Sequence, residues 1–436
     1  MSLATKSGLM KKINLIELNE INFDIVKEYI SENSGQFPGF EKLLDLESYE
    51  TFSENVYNQI EPWIQWASVH TCKTYDQHRV FRLGDIINYQ GEQIFEKIEK
   101  AVYQVGCLSP MNTNNKLTKP AYFIPDPWTN TNSDCSVTSK AIHQAIKQAV
   151  NDNSEGKIKF STYLTLIWTL LTKTQIKNWP TYLKLFLFRK KRWNKALFLD
   201  LLLSDVFIDL KIRNQENFSC LFLNAFAHVQ HHYLLNSKMY KGKLQNKSEY
   251  INKDDDPIID ALKIYDKIIF DLLGKFDERF IFATALRQVP VNKKIIYYRL
   301  KNHEKFLTAL GIENFKVEPR MTRDFLISFK NSKDLENATR ILSTIKFNNH
   351  SLFGEIEKRK NSLFVTLTYS YLVTPGDKLS IQHRTLVLSD EFVFVAIKNA
   401  HHDSLGYVFT NFTPKTFKSG DHVSNIGTEV LKYFEI

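Results

Sequence analysis

Residues 13–18, INLIEL, form a short apolar run closed by polar residues, and 21–33, INFDIVKEYISEN, follow at helical spacing. A run that short and that apolar suits a strand buried on both faces, as in a parallel sheet. The same strand-then-helix rhythm recurs. Residues 93–105 read as a helix that leads through Gly106 into the apolar segment CLSPM. Residues 216–224 read as a strand before the helix start AHVQHHYLL, and 257–274 as an amphipathic helix before the strand FIFATA. Alternation of this kind predicts an α/β fold, with a central, mostly parallel sheet flanked by helices on both faces.

Two stretches break the rhythm. Residues 157–215 are almost wholly helical in pattern. Residues 322–372 read as strand (DFLISF), helix (DLENATRILSTI), helix (LFGEIEKR) and strand (SLFVTLTY). The expected organisation is a core of 12–156, 216–312 and 386–436, a basic helical cap insertion at 157–215 and an α+β cap insertion at 313–385. Both insertions are expected to cover the cleft.

Composition removes several function classes. Only 15 glycines occur in 436 residues, where ordinary usage of roughly 7% gives about 30. No two glycines stand two apart, so no G-x-G fingerprint exists, and there is no G-x4-G-K phosphate loop. The four cysteines (Cys72, Cys107, Cys135, Cys220) include no C-x-x-C pair, which excludes zinc knuckles and redox pairs and fits a reducing cytoplasm. The opening MSLATKSGLMKK holds no apolar stretch long enough for a signal peptide, and no run reaches membrane-spanning length. A cytoplasmic protein is expected, peripheral to the inner face of the membrane if it meets one at all. The net charge of +9 is concentrated: between Lys157 and Leu199 there are ten Lys/Arg and no Asp/Glu. Arg189, Lys190, Lys191 and Arg192, beside YLKLFLF, have the cationic and aromatic mix of a membrane-surface helix. No nucleic-acid-binding motif is present.

Ligands of open α/β sheets bind at the carboxyl ends of strands. Four polar segments are candidates: Glu17, Asn19, Glu20 and Asn22; Ser68, His70 and Thr71 in EPWIQWASVHTC; His228, His231 and His232; and His401, His402 and Asp403. Carboxylates and imidazoles facing one cleft can serve as general acid and base. Arg287 is a candidate clamp for an anionic group.

In order along the chain, these segments resemble the alkaline phosphatase superfamily, in its phosphodiesterase and nucleotide pyrophosphatase branch. The first strand resembles the family's metal-binding strand, which ends in Asp-Gly; here Asn19-Glu20 stand there. WASVHTC is similar to W-T-S-x-x-T-G, with Ala67 at the nucleophile and Cys72 at the glycine. AHVQHHY is similar to D-x-V-Q-H-x-[FY], with Ala227 at a metal-binding Asp and His231 at the His. FATALRQ lies where S-D-H-G follows a strand, so Thr284 to Arg287 replace two ligands there. HHDSLG resembles H-x-x-x-G, with His402 and Gly406 in place. SPMN, with Asn112, and FIPDPWT resemble loops of that branch.

The resemblance and its departures imply a divergent enzyme that works by Glu/His acid–base chemistry without the usual two-metal centre. At most one divalent ion would be held, by His231 and His402 with a borrowed Glu17 or Glu20. Catalytic candidates are Glu17, Asn19, Glu20, Ser68, His231 and His402. Substrate-binding candidates are His70, Thr71, Asn112, His228 and Arg287. The implied substrate is an anionic sugar, sugar phosphate or glycan of bacterial surface-polysaccharide metabolism. The alternatives are a pseudoenzyme that binds a ligand or partner, and a membrane-surface scaffold.

Overall fold

The computed structural model describes residues 11–151, 160–320, 323–381 and 384–436. The first ten residues, on which the absence of a leader was read, lie outside them.

The described residues form two compact units, 1–290 with 400–436, and 291–399. The first is built on an eight-stranded sheet. From one edge its strands run Asp421–His422, Glu47–Phe52, Leu405–Thr410, Arg279–Ala283, Ile13–Leu18, Phe218–Leu223, Val105–Leu108 and Tyr122–Ile124. The last five are mutually parallel. Leu405–Thr410 runs antiparallel to both neighbours, so the sheet is mixed but mostly parallel and flanked by helices.

Every residue of Ile13–Leu18 is buried. Strand side chains alternate between faces. Ile16 and Leu18 therefore enter one apolar core, with Phe23, Tyr265 and Phe409, while Ile13 and Leu15 enter the other, with Trp66, Phe95 and Val430. Glu17 shares the Ile13–Leu15 face. The Pro62–Thr71 helix covers that face and meets the closing helix Asn425–Tyr433 at Gly427, where a Cβ would lie 2.0 Å from the Val69 carbonyl oxygen.

The segment WASVHTC forms the end of the Pro62–Thr71 helix and its C-cap, Cys72, and is not at a strand end. The stretch 160–215 is helical as expected, with helices Phe160–Lys173, Trp179–Leu187 and Asn194–Asn214, and lies within the first unit.

The second unit is broader than the 313–385 stretch. It carries a four-stranded antiparallel sheet in the order Glu357–Arg359, Ser362–Thr366, Asp324–Phe329 and Phe315–Pro319. The Ser332–Thr344 helix starts where the Asn331 side chain accepts from Asp334 N–H, and it buries Leu335, Ala338 and Leu342. One expectation fails here: LFGEIEKR is not a helix. Glu357–Arg359 pairs back on Ser362–Thr366 through a tight turn with Lys360 at φ 46°. Strand pairing overrides the local helix preference of a Glu/Lys-rich stretch.

Candidate metal centre

Three strand ends converge beside the middle of the sheet. Asn19 N–H continues the ladder to Leu223 O (3.1 Å), and Glu20 N–H reaches Thr284 O (3.1 Å). Glu20 then takes φ 59°, a left-handed conformation that L side chains rarely adopt. Cys72 does the same at φ 56°. These are the two positions where the family resemblance expects glycine. The chain keeps the backbone turn and accepts roughly 1–3 kcal/mol of strain at each.

That turn aims the buried Glu20 carboxylate at two imidazoles. Its Oε2 lies 3.0 Å from His231 Nε2 and 3.0 Å from His402 Nε2, and the two nitrogens are 3.2 Å apart. His231 comes from the Ala225–Tyr233 helix, which follows strand Phe218–Leu223. His402 comes from the end of Phe392–Asp403.

The remaining groups hold this trio in place. Asn19 Nδ2 donates to Glu20 Oε1 (2.7 Å) and to Asn224 Oδ1 (2.8 Å), and Asn19 Oδ1 accepts from Trp66 Nε1 (2.8 Å). Gln288 Nε2 donates to Glu20 Oε2 (2.5 Å), and Gln230 Nε2 to Glu20 O (2.8 Å). Glu61, at the start of the Pro62–Thr71 helix, places Oε2 3.2 Å from His402 Nδ1. Glu61 is the residue the sequence reading missed. Its only signal was its place immediately before Pro62 at a helix start.

Burial works against charge on His402, yet Glu20 and Glu61 overcome it and hold the imidazole up to about 10. Burial likewise works against the Glu20 carboxylate, and His402 and His231 outweigh it, holding Glu20 well below the usual carboxylate range.

The donor set fits one cation. A tetrahedral zinc site with ligands about 2.0–2.1 Å from the metal holds its donors roughly 3.4 Å apart, a few tenths of an ångström wider than the trio here. A carboxylate on the far nitrogen of a ligating histidine is the common outer partner of such sites, and Glu61 occupies that position on His402. Ala67, Ala227, Ala285 and Leu286, at positions where the resemblance implies ligands or a nucleophile, are buried and carry no donor atom. A second donor group, Glu17, His70 and Cys220, lies buried in the core.

The other candidates fall elsewhere. Glu17 does not share the cleft with Glu20. It is buried in the apolar core on the opposite face, where Oε1 meets His70 Nε2 at 2.6 Å and accepts from the Cys220 thiol at 3.2 Å. His70 Nδ1 pairs in turn with Thr113 Oγ1 (3.0 Å). Burial, with Glu17 alongside, pushes the Cys220 and Cys107 thiols well up. His70 is therefore a core residue in this fold.

Ser68 and Thr71 are buried in their helix, donating to Ile64 O and Ala67 O. Val80 N–H donates to His78 Nδ1, which leaves His78 Nε2 as the donor toward Ser68 Oγ, 3.0 Å away. Burial pushes His78 down to about 4, so it is neutral at pH 7. Ser68 thus faces a donor and not a base. Asn112, buried at φ 50°, supports loops by accepting from Gly84 N–H and donating to Trp63 O. Arg287 is occupied by Asp24, Asp403 and the Tyr407 hydroxyl. His228 is exposed on its helix, its ring 4.5 Å from that of His232.

No family model matches this chain, and no curated protein matches it in sequence. Several solved structures are similar along nearly its whole length. Phosphonoacetate hydrolase from Sinorhizobium meliloti 1021 shares 9% identity over 98% of this chain and 96% of that one, with TM-score 0.42. Murine ectonucleotide pyrophosphatase/phosphodiesterase 5 shares 9% over 98% and 95%, with TM-score 0.46. Alkaline phosphatase from the Antarctic bacterium TAB5 shares 8% over 98% and 99%, with TM-score 0.41.

Proposed function

We propose that Glu20, His231 and His402 bind a single divalent cation of borderline hardness and that the site hydrolyses an anionic phosphoester. The convergence of one carboxylate oxygen and two imidazole nitrogens within 3.2 Å, with Glu61 behind His402, carries this reading. A bound cation of this kind lowers the pKa of a coordinated water and polarises a phosphoryl oxygen.

The rest follows from the chain's own side chains. Asn19 and Gln288 fix the Glu20 carboxylate by hydrogen bonds to its two oxygens. Glu61 fixes the ring plane of His402 and leaves Nε2 directed into the site. No side-chain nucleophile stands in the trio: Ala67 holds the expected position, and the Ser68 and Thr71 hydroxyls are engaged by backbone carbonyls. Water is therefore the attacking group, and no covalent enzyme intermediate forms. Of the substrates expected from the sequence (an anionic sugar, sugar phosphate or glycan), a sugar phosphate falls in the class such a site accepts.

The test is hydrolysis of bis(p-nitrophenyl) phosphate by chelator-treated protein resupplied with zinc or manganese. Activity that returns with metal and falls at least a hundredfold in Glu20→Gln and His231→Ala supports the proposal. Activity unchanged by either substitution overturns it. The second reading, a ligand-binding pseudoenzyme, draws on the same hydrogen bonds: Glu20 is fully partnered by Asn19, Gln288 and the two histidines without any ion. Metal binding without turnover of any phosphoester would favour it.

A further inference from the structure

The Phe160–Lys173 helix is apolar on two sides: Leu166 and Leu170 pack against the core, and a second stripe faces outward. Thr162 and Thr169 are buried, while Phe160, Tyr163, Leu164, Ile167, Trp168 and Leu171 form an outward stripe, each at least 41% exposed. Their spacing of three and four residues keeps them on one helix face. Thr165, Thr169 and Thr172 tie their hydroxyls to the carbonyls four residues back, which satisfies them without a polar environment. The next helix repeats the pattern. Trp179–Leu187 buries Tyr182 and Leu185 and exposes Trp179, Leu183, Phe186 and Leu187. Twelve of the twenty-four exposed large hydrophobic residues among the described residues lie between Phe160 and Phe188. Concentrations of this kind mark an interaction surface.

Charge decides the partner. Residues 160–192 contain seven Lys/Arg and no Asp/Glu. Lys173, Lys177 and Lys191 are paired with Asp209, Asp271 and Asp255. Lys184, Arg189, Lys190 and Arg192 form no salt bridge among the described residues and stand exposed at or just beyond the second helix. Lys191, expected as a fourth free cation, is instead held by Asp255 and Asp260. A second copy of this face would bring like charges together. No described helix is long and apolar enough to cross a membrane. A face of aliphatic and Trp/Tyr side chains edged by unpaired cations matches helices that lie in the plane of a bilayer with anionic headgroups.

We infer that the outer faces of the Phe160–Lys173 and Trp179–Leu187 helices seat on an anionic lipid bilayer, with Arg189, Lys190 and Arg192 at the headgroups. Co-sedimentation of the full chain with vesicles tests it, comparing phosphatidylcholine alone with phosphatidylcholine containing one third phosphatidylglycerol. Binding is expected on the charged vesicles and is expected to weaken with added salt. Arg189→Gln, Lys190→Gln and Arg192→Gln together should lower the partition constant about a hundredfold. Ile167→Ser with Leu171→Ser should lower it at least tenfold while far-ultraviolet circular dichroism stays unchanged. Failure of the wild-type chain to bind charged vesicles overturns the inference. So does binding that none of these substitutions alters. A dimer in sedimentation velocity that Ile167→Ser with Leu171→Ser dissociates, in protein that ignores vesicles, would assign the face to self-association instead.

Discussion

Asp200 offers a test in which the structure fixes both sign and size. It lies in the Asn194–Asn214 helix, is 4% exposed, and accepts from Ala225 N–H (2.6 Å) and from the Tyr265 hydroxyl (2.5 Å). Those bonds anchor the start of the helix that carries His231. Burial dominates and pushes the carboxyl up to about 6, with hydrogen bonds from Tyr265, Ala225 and Asn224 opposing it. A carboxyl raised in the folded state contributes stability that is fully present below its unfolded value of about 4 and is lost as pH rises through about 6. A shift of two pKa units corresponds to about 3 kcal/mol. Asp200→Asn removes the titration and keeps an oxygen acceptor for both donors. The difference in unfolding free energy between variant and wild type should therefore move by about 3 kcal/mol in favour of the variant from pH 4 to pH 8. Urea unfolding of both proteins at several pH values measures it, and other titrating groups cancel in the difference. A difference that stays flat with pH would refute the reasoning, as would one that moves in the opposite direction.

Other outcomes follow from named contacts. Gly427→Ala should destabilise by at least 1–3 kcal/mol in denaturant unfolding, because its Cβ would strike the Val69 carbonyl. Glu61→Gln should weaken metal affinity about 10–100-fold with the fold intact, read by competition with a chromophoric chelator. Under native conditions a thiol reagent should modify exposed Cys135 at once, while Cys107 and Cys220 react only on unfolding, as mass mapping would show.

The central strands were readable because Ile13–Leu18 and Phe218–Leu223 are buried on both faces and so appear as apolar runs between helical periods, whereas the mostly exposed edge strand Glu47–Phe52 gives no such run. The trio of Glu20, His231 and His402 was harder. Glu20, His231 and His402 are separated by 211 and 171 positions, so spacing alone could not join them; the motifs around them, in order, did. What motif order could not supply was side-chain direction. Glu17 and Glu20 are three apart and both acidic, yet one strand residue faces the Ile13–Leu15 core while the other leaves the strand through a left-handed turn. Strand alternation already placed Glu17 with Ile13 and Leu15, and that signal should have outweighed its charge. The surroundings of Arg287 and Asn112 were hidden for a different reason. Their partners, Asp24 and Asp403 for one, Gly84 and Trp63 for the other, come from distant segments that local sequence does not reveal. Helical pattern misled at LFGEIEKR, where hairpin pairing prevails.

The central claim is a one-ion site made by Glu20, His231 and His402. Calorimetric titration of chelator-stripped protein with zinc tests it most directly. One ion per chain is predicted, with binding abolished in His231→Ala/His402→Ala. Two ions per chain, no ion at all, or one ion still bound by the double variant would contradict it.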